Sequence, residues 1–150
     1  MADNIFIAQA LSEIAVYNSG SAKTVMQVLA PANCRVKVLG WGISFDGRDV
    51  AAEPVNVELV RQTTAGTMSS LAVSQQRPYA DPISSTAQHT AAGEPTTTDV
   101  IDSVEVHPQS GYEVRYPYGQ EPVIAGSGRM GVRVTAPAAV NCRVKMICEE

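Results

Sequence analysis

The strongest constraint on the fold is a phrase that the chain uses twice. Ala30-Pro31-Ala32-Asn33-Cys34-Arg35-Val36-Lys37-Val38-Leu39 returns as Ala136-Pro137-Ala138-Ala139-Val140-Asn141-Cys142-Arg143-Val144-Lys145-Met146-Ile147. Each copy is a proline-containing turn followed by strict alternation. Cys34, Val36 and Val38 point one way and Arg35 and Lys37 the other; Cys142, Val144 and Met146 oppose Arg143 and Lys145. Period two marks a strand with one buried and one wet face. More than a hundred residues separate the copies, which excludes a solenoid, whose repeats recur at roughly 20–50 residues. The two strands are expected at equivalent places in two packed sheets. They would then present separate basic stripes, either solvated or docked on an acidic partner.

The rest of the chain follows the same period. Residues 1–22 read as an N-terminal arm or first strand. The segment 5–17 fits a helical stripe through Ile7, Leu11, Ile14 and Ala15, but its short apolar bursts are read as extended. Thr24–Leu29 is a predicted strand, and the first phrase continues through Gly40-Trp41-Gly42 to Phe45. The glycines flanking Trp41 mark a bulge or a close backbone approach. Val55–Gln62 alternates again and leads through a hairpin-length connection into Met68–Ser74. Residues 75–98 have no usable period and carry Pro78, Pro82, Gly93 and Pro95, so they read as a long irregular loop. Further strands are predicted at Val100–His107, Tyr112–Tyr116 and Met130–Thr135, the last pairing with the second phrase. The sum is an all-β chain, a single-domain antiparallel β-sandwich of jelly-roll type over residues 23–150, with eight or nine strands.

At 150 residues the chain is long enough for one domain with a real core. A net charge of −4 argues against nucleic acid, which demands an excess of Lys and Arg. No stretch approaches the roughly 20 apolar residues of a membrane helix, and the start lacks the basic region of a signal peptide. The expected place of synthesis is a reducing cytoplasm. Three cysteines without a C-x-x-C pair indicate neither zinc nor a disulfide framework. Cys34 and Cys142 read as buried thiols that could meet across the sandwich.

Each candidate for chemistry has a plain structural reading beside it. Gly126-Ser127-Gly128-Arg129-Met130-Gly131 fits G-x-G-x-x-G, but a strand pattern follows it, and dinucleotide binding needs a helix. His89 and His107 lack a Gly-x-Ser-x-Gly elbow to serve and read as a loop histidine and a strand end. Asp46, Asp49 and Glu53 are hard oxygen ligands without EF-hand spacing; Asp99 and Asp102 read as surface carboxylates. No catalytic, cofactor or metal residue is nominated. Tyr112, Tyr116 and Tyr118 share a nominal face that suits stacking on sugars, a protein interface or the sandwich rim.

A set of phrases carries a family resemblance over residues 24–150. They are Ala30-Pro31-Ala32-Asn33, Gly42-Ile43-Ser44-Phe45-Asp46-Gly47, Val57-Glu58-Leu59-Val60-Arg61-Gln62-Thr63-Thr64-Ala65-Gly66-Thr67, Glu94-Pro95-Thr96, Glu121-Pro122-Val123 and Gly128-Arg129-Met130-Gly131-Val132-Arg133-Val134-Thr135-Ala136-Pro137-Ala138. In these the chain resembles small β-sandwich structural proteins of tailed bacteriophages, of the head decoration or cement type. The resemblance implies a virion protein without catalytic residues or cofactor, binding outside the major capsid protein shell, often as a homotrimer. Contacts are then expected at Ile5, Phe6, Ile7 and Leu11, at Pro78, Tyr79 and Pro82, at Tyr112 and Tyr116, and at Arg35 and Lys37. The alternative is a carbohydrate- or receptor-binding module of a phage tail or fibre, for which the tyrosine row and Trp41 speak. An enzyme is the third class.

Overall fold

Alternation of residue type becomes alternation of burial along the strands that hold the two phrases. The computed structural model describes residues 4–77 and 81–150, and among these every regular element is a strand. In chain order they are β1 (Ile5–Gln9), β2 (Ile14–Ala15), β3 (Lys23–Leu29), β4 (Val36–Phe45), β5 (Val55–Gln62), β6 (Thr67–Leu71), β7 (Val73–Gln75), β8 (Thr86–Gly93), β9 (Thr97–Val106), β10 (Gly111–Arg115), β11 (Val123–Ile124), β12 (Arg129–Thr135) and β13 (Asn141–Glu149). In β13, Cys142, Val144 and Met146 are buried, while Arg143 is exposed and Lys145 half-exposed.

Two antiparallel sheets form. One has the order β10-β4-β13-β1-β7, with β11 beside β4 and β2 beside β13; the other runs β6-β8-β3-β12-β5-β9. The sets β1-β13-β4-β10 and β3-β12-β5-β9 are the eight strands of a jelly roll, a sandwich of two Greek keys. These eight correspond to the eight or nine strands expected. The surplus is the two-residue β2 and β11 and an insertion, β6–β8, between β5 and β9.

Several expectations about pairing are corrected. The two phrases lie side by side in one sheet, β4 against β13 from Lys37↔Glu149 to Phe45↔Cys142. β12 and β13 are not a hairpin: β12 pairs with β3 and β5, and the Ala136–Val140 turn carries the chain to the other sheet. Met68–Ser74 splits between β6 and β7, which edge different sheets. The supposed loop 75–98 contains β8, paired with β3 and β6. Its Thr-Ala-Gln-His-Thr-Ala-Ala-Gly has no large apolar residue, so only Ala87 and Ala91 are buried and the period is invisible in the sequence. Of the two readings of the N-terminal segment, the first strand holds and the arm does not. β1 is inserted between β13 and β7, and Phe6 and Ala8 are fully buried.

The core is filled from both sides, by Phe6, Trp41 and Met146 of one sheet and Met26, Leu59 and Met130 of the other. A buried polar chain lies on the far side of the six-stranded sheet. Gln27 Nε2 donates to Gln62 Oε1 at 2.7 Å, and Gln62 Nε2 donates to Thr24 Oγ1 at 2.9 Å. Glu94 then accepts from the Thr24 amide and hydroxyl, at 2.9 and 2.7 Å. These bonds hold the end of the insertion over β3, β12 and β5. Gly131 makes room for them, since a Cβ there would lie 2.6 Å from Gln62 Oε1 and 2.8 Å from the Met26 carbonyl.

The cysteines are all free thiols. Cys142 pairs with Phe45 at one end of β4, whereas Cys34 precedes the other end. At about 3.3 Å per residue the two are on the order of 30 Å apart, so they do not meet. Burial pushes the Cys142 thiol up to about 12 and raises that of Cys148 as well. In the native protein only half-buried Cys34 should react with a disulfide reagent, and denaturation should release two further thiols in an Ellman titration. Phe6→Ala should cost about 3–5 kcal/mol in a urea melt, the usual loss for a buried aromatic ring. Leu11→Ala, on a side chain 82% exposed, should stay within about 0.5 kcal/mol.

Candidate interaction face

The outer face of the seven-stranded sheet is laid out in rows by the strand register. Gly111, Ser44 and Arg143 form the first; Glu113, Gly42, Lys145 and Gln9 the second. The third runs Arg115, Gly40, Ile147, Ile7, Ser74, and the last Lys37, Glu149, Ile5. Each side chain faces outward because its neighbours along the strand, such as Trp41, Ile43, Val144 and Met146, fill the core.

Glycine shapes this surface. Lys145 Nζ reaches Glu113 at 3.3 Å although Gly42 of β4 stands between their strands. A Cβ at Gly42 would press on both side chains, at 3.3 Å from Lys145 Cε and 3.4 Å from Glu113 Cγ. Arg115 lies over Gly40, where a Cβ would come within 2.6 Å of its Cδ, and its Nε is 3.5 Å from the same Glu113. One carboxylate therefore serves two cations. At the far end Lys37 pairs with Glu149 at 3.6 Å. Such half-exposed pairs contribute little stability, about 0–1 kcal/mol each. Arg143 makes no ion pair with a described residue. Beside it a depression of about 440 Å³ is lined by Gly42, Ser44, Gly111, Glu113, Arg143 and Lys145 among others.

Of the residues nominated from the sequence, Ile5, Ile7 and Lys37 come together on this face, the two isoleucines half-buried. Phe6 is in the core, and Leu11 is exposed in the β1–β2 connection. Arg35 is exposed ahead of β4, and Pro82 is exposed before β8. Pro78 and Tyr79 lie outside the described residues. Glu113, Arg115 and the paired glycines were not nominated. Their signal was present in the alternation Glu113-Val114-Arg115 and Gly40-Trp41-Gly42.

The tyrosines stand elsewhere, at the rim where β9 and β10 close the sandwich. Tyr112 packs on Trp41, ring centroids 5.3 Å apart and tilted by 53°. Trp41 Nε1 donates to the Tyr116 hydroxyl at 3.1 Å, which in turn donates to Asp102 at 3.1 Å. Burial raises the Tyr116 phenol to about 12, the Trp41 bond opposing and the Asp102 charge reinforcing the shift. Burial, then Asp102, also raises Tyr112. Tyr118, beyond Pro117, is 95% exposed.

The other polar candidates are occupied in building loops. Asp46 accepts the Asn141 backbone and side-chain N–H groups at 2.8 and 3.0 Å, which hold its carboxyl below the usual range. Asp49 accepts from the Ala51 amide in a tight turn. His89 is in β8, half-buried, with Nδ1 3.0 Å from the Thr90 hydroxyl; His107 contacts the Val50 carbonyl. Among the described residues no three His, Cys, Asp or Glu side chains gather as a metal site. Gly126–Gly128 form a turn and β12 follows.

The fold and this face define a jelly-roll β-sandwich with a charged, glycine-floored outer sheet. No family model, curated protein or solved structure matches the chain.

Tyr116→Phe should cost about 1–3 kcal/mol at pH 7, because the buried Trp41 N–H loses its acceptor. The folded phenol titrates above the unfolded value near 10, so its contribution is complete below pH 10 and lost as pH rises through about 12. Urea melts from pH 9 to 12 should therefore show a smaller fall for the phenylalanine variant than for the native chain.

Proposed function

We propose that the protein is a non-enzymatic structural component of a phage virion that binds the outside of the capsid and stabilises the head. The observation that carries this reading is where the molecule offers contact. Its interior is filled by Trp41, Phe6, Met26 and the other core side chains, so a partner meets outer surfaces. The outer face of the seven-stranded sheet gathers Ile5, Ile7 and Lys37, three of the residues for which the sequence suggests contact. The sequence resemblance supports the same reading, and jelly rolls are an architecture that capsid proteins use. Many weak contacts, repeated over a symmetric shell, act through valency. A homotrimer matches the threefold points of such a shell.

The carbohydrate-binding alternative draws on the tyrosines. Tyr112 and Tyr116 are both packed against the core at the rim, and the Tyr116 hydroxyl is engaged with Trp41 and Asp102. That leaves Tyr118 as the exposed ring of the three, a thinner platform than a row.

The test is quantitative mass spectrometry of purified particles, with light scattering of the isolated protein. The expected results are a copy number of about three chains per occupied threefold position and a solution mass of three chains. Absence from particles, with a glycan titration that quenches tyrosine fluorescence, would sink the capsid reading in favour of the sugar-binding one.

A further inference from the structure

We infer that the outer face of the seven-stranded sheet is the docking face, and that its occupant is an acidic, carboxylate-bearing segment of the partner protein. That the partner is a capsid subunit rests on the reading above; the chemistry of the face does not.

The charge distribution argues for it. The strands of this sheet hold Lys37, Arg115, Arg143 and Lys145 against Glu113 and Glu149, so the face carries net +2 in a chain of net −4. The remainder therefore carries −6. An acidic segment is repelled by most of the molecule and attracted here, which fixes orientation as well as contact. Glu113 is shared by two cations, and Arg143 has no ion pair among the described residues, so positive charge is left over. Arg143, Lys145 and Glu113 line the same depression, whose floor at Gly42 and Gly111 lacks side chains; Glu113 is held by Lys145 and Arg115, which leaves Arg143 as the cation there without an ion pair among the described residues. A carboxylate can enter there against Arg143, with Lys145 shared between it and Glu113, while Ile7 and Ile5 offer apolar contact farther along the sheet. Both sequence phrases contribute, which their placement in one sheet makes possible.

The probe is a fluorescein-labelled peptide of ten glutamates, followed by anisotropy. The native chain should bind it at about 50 mM salt and lose roughly tenfold in affinity by about 300 mM, as screening shortens the reach of the charges. Arg143→Glu with Lys145→Glu should weaken binding by at least about tenfold. Arg143→Gln with Lys145→Gln, which sets no like charge against Glu113, should do the same in part, and guards against misfolding of the first variant. The control is Thr98→Glu with Ser103→Glu, exposed positions on β9 of the other sheet that change net charge as much as the glutamine pair does, and it should leave affinity within about twofold. Equal losses in the control, or no binding by the native chain at low salt, overturn the proposal. So does a variant that binds the peptide unchanged. If the Arg143 and Lys145 changes instead turn an oligomer into a monomer, the occupant is a second copy and the assignment fails. The assay contains no capsid: peptide binding by a chain absent from particles would remove the capsid as partner and keep the acidic-segment face.

Discussion

Burial between two sheets is the constraint on which this molecule depends, because the chain crosses from one sheet to the other at nearly every main connection. β3 leads to β4, β4 to β5, β9 to β10 and β12 to β13, each time changing sheet. Neither sheet can be completed from consecutive hairpins, so neither persists without the other. The inward residues of both must be apolar and must interlock, as Trp41, Phe6 and Met146 do with Met26, Leu59 and Met130. These large inward side chains are fully buried, and a close-packed interior tolerates little change in their volume. What remains to vary is the outside.

The two outer faces are built differently for that reason. The six-stranded sheet is overlaid by the end of its own insertion, fastened through Glu94, Thr24, Gln62 and Gln27. Buried amides and hydroxyls must be bonded to be tolerated, and this chain of bonds satisfies them together. On the seven-stranded sheet, Gly40 and Gly42 lower the surface along β4, and long charged side chains from β10 and β13 lean across it. The result is an open face with an excess of cations. The sandwich rim is treated in a third way. There Trp41, Tyr116 and Asp102 close the gap between β9 and β10 with hydrogen bonds, since those strands share no ladder.

Much of the strand content was legible. Val55–Gln62 alternates in sequence and in burial, and Gly40 and Gly42 marked a real irregularity, with the register shifting opposite Ile147 and Cys148. β8 was not legible, because alanine, threonine and glycine write no hydrophobic period. The face was half legible. Ile5, Ile7 and Lys37 were found as separate signals, while Arg143 and Lys145 were read as a stripe in another sheet. Phe6 was misjudged because an apolar burst near a terminus looks alike whether the strand is central or free.

By itself the sequence determined the class of the fold and the facing of its strands, since a two-residue period assigns each side chain to core or solvent without knowledge of neighbours. It could not determine which strands adjoin. A strand that turns back beside its predecessor and one that arches to the opposite sheet bury the same alternating residues. Only the tertiary structure chose, through the packing of the whole core, to set the two repeated phrases side by side. That choice brings Lys37 of the first phrase onto one positively charged face with Arg143 and Lys145 of the second.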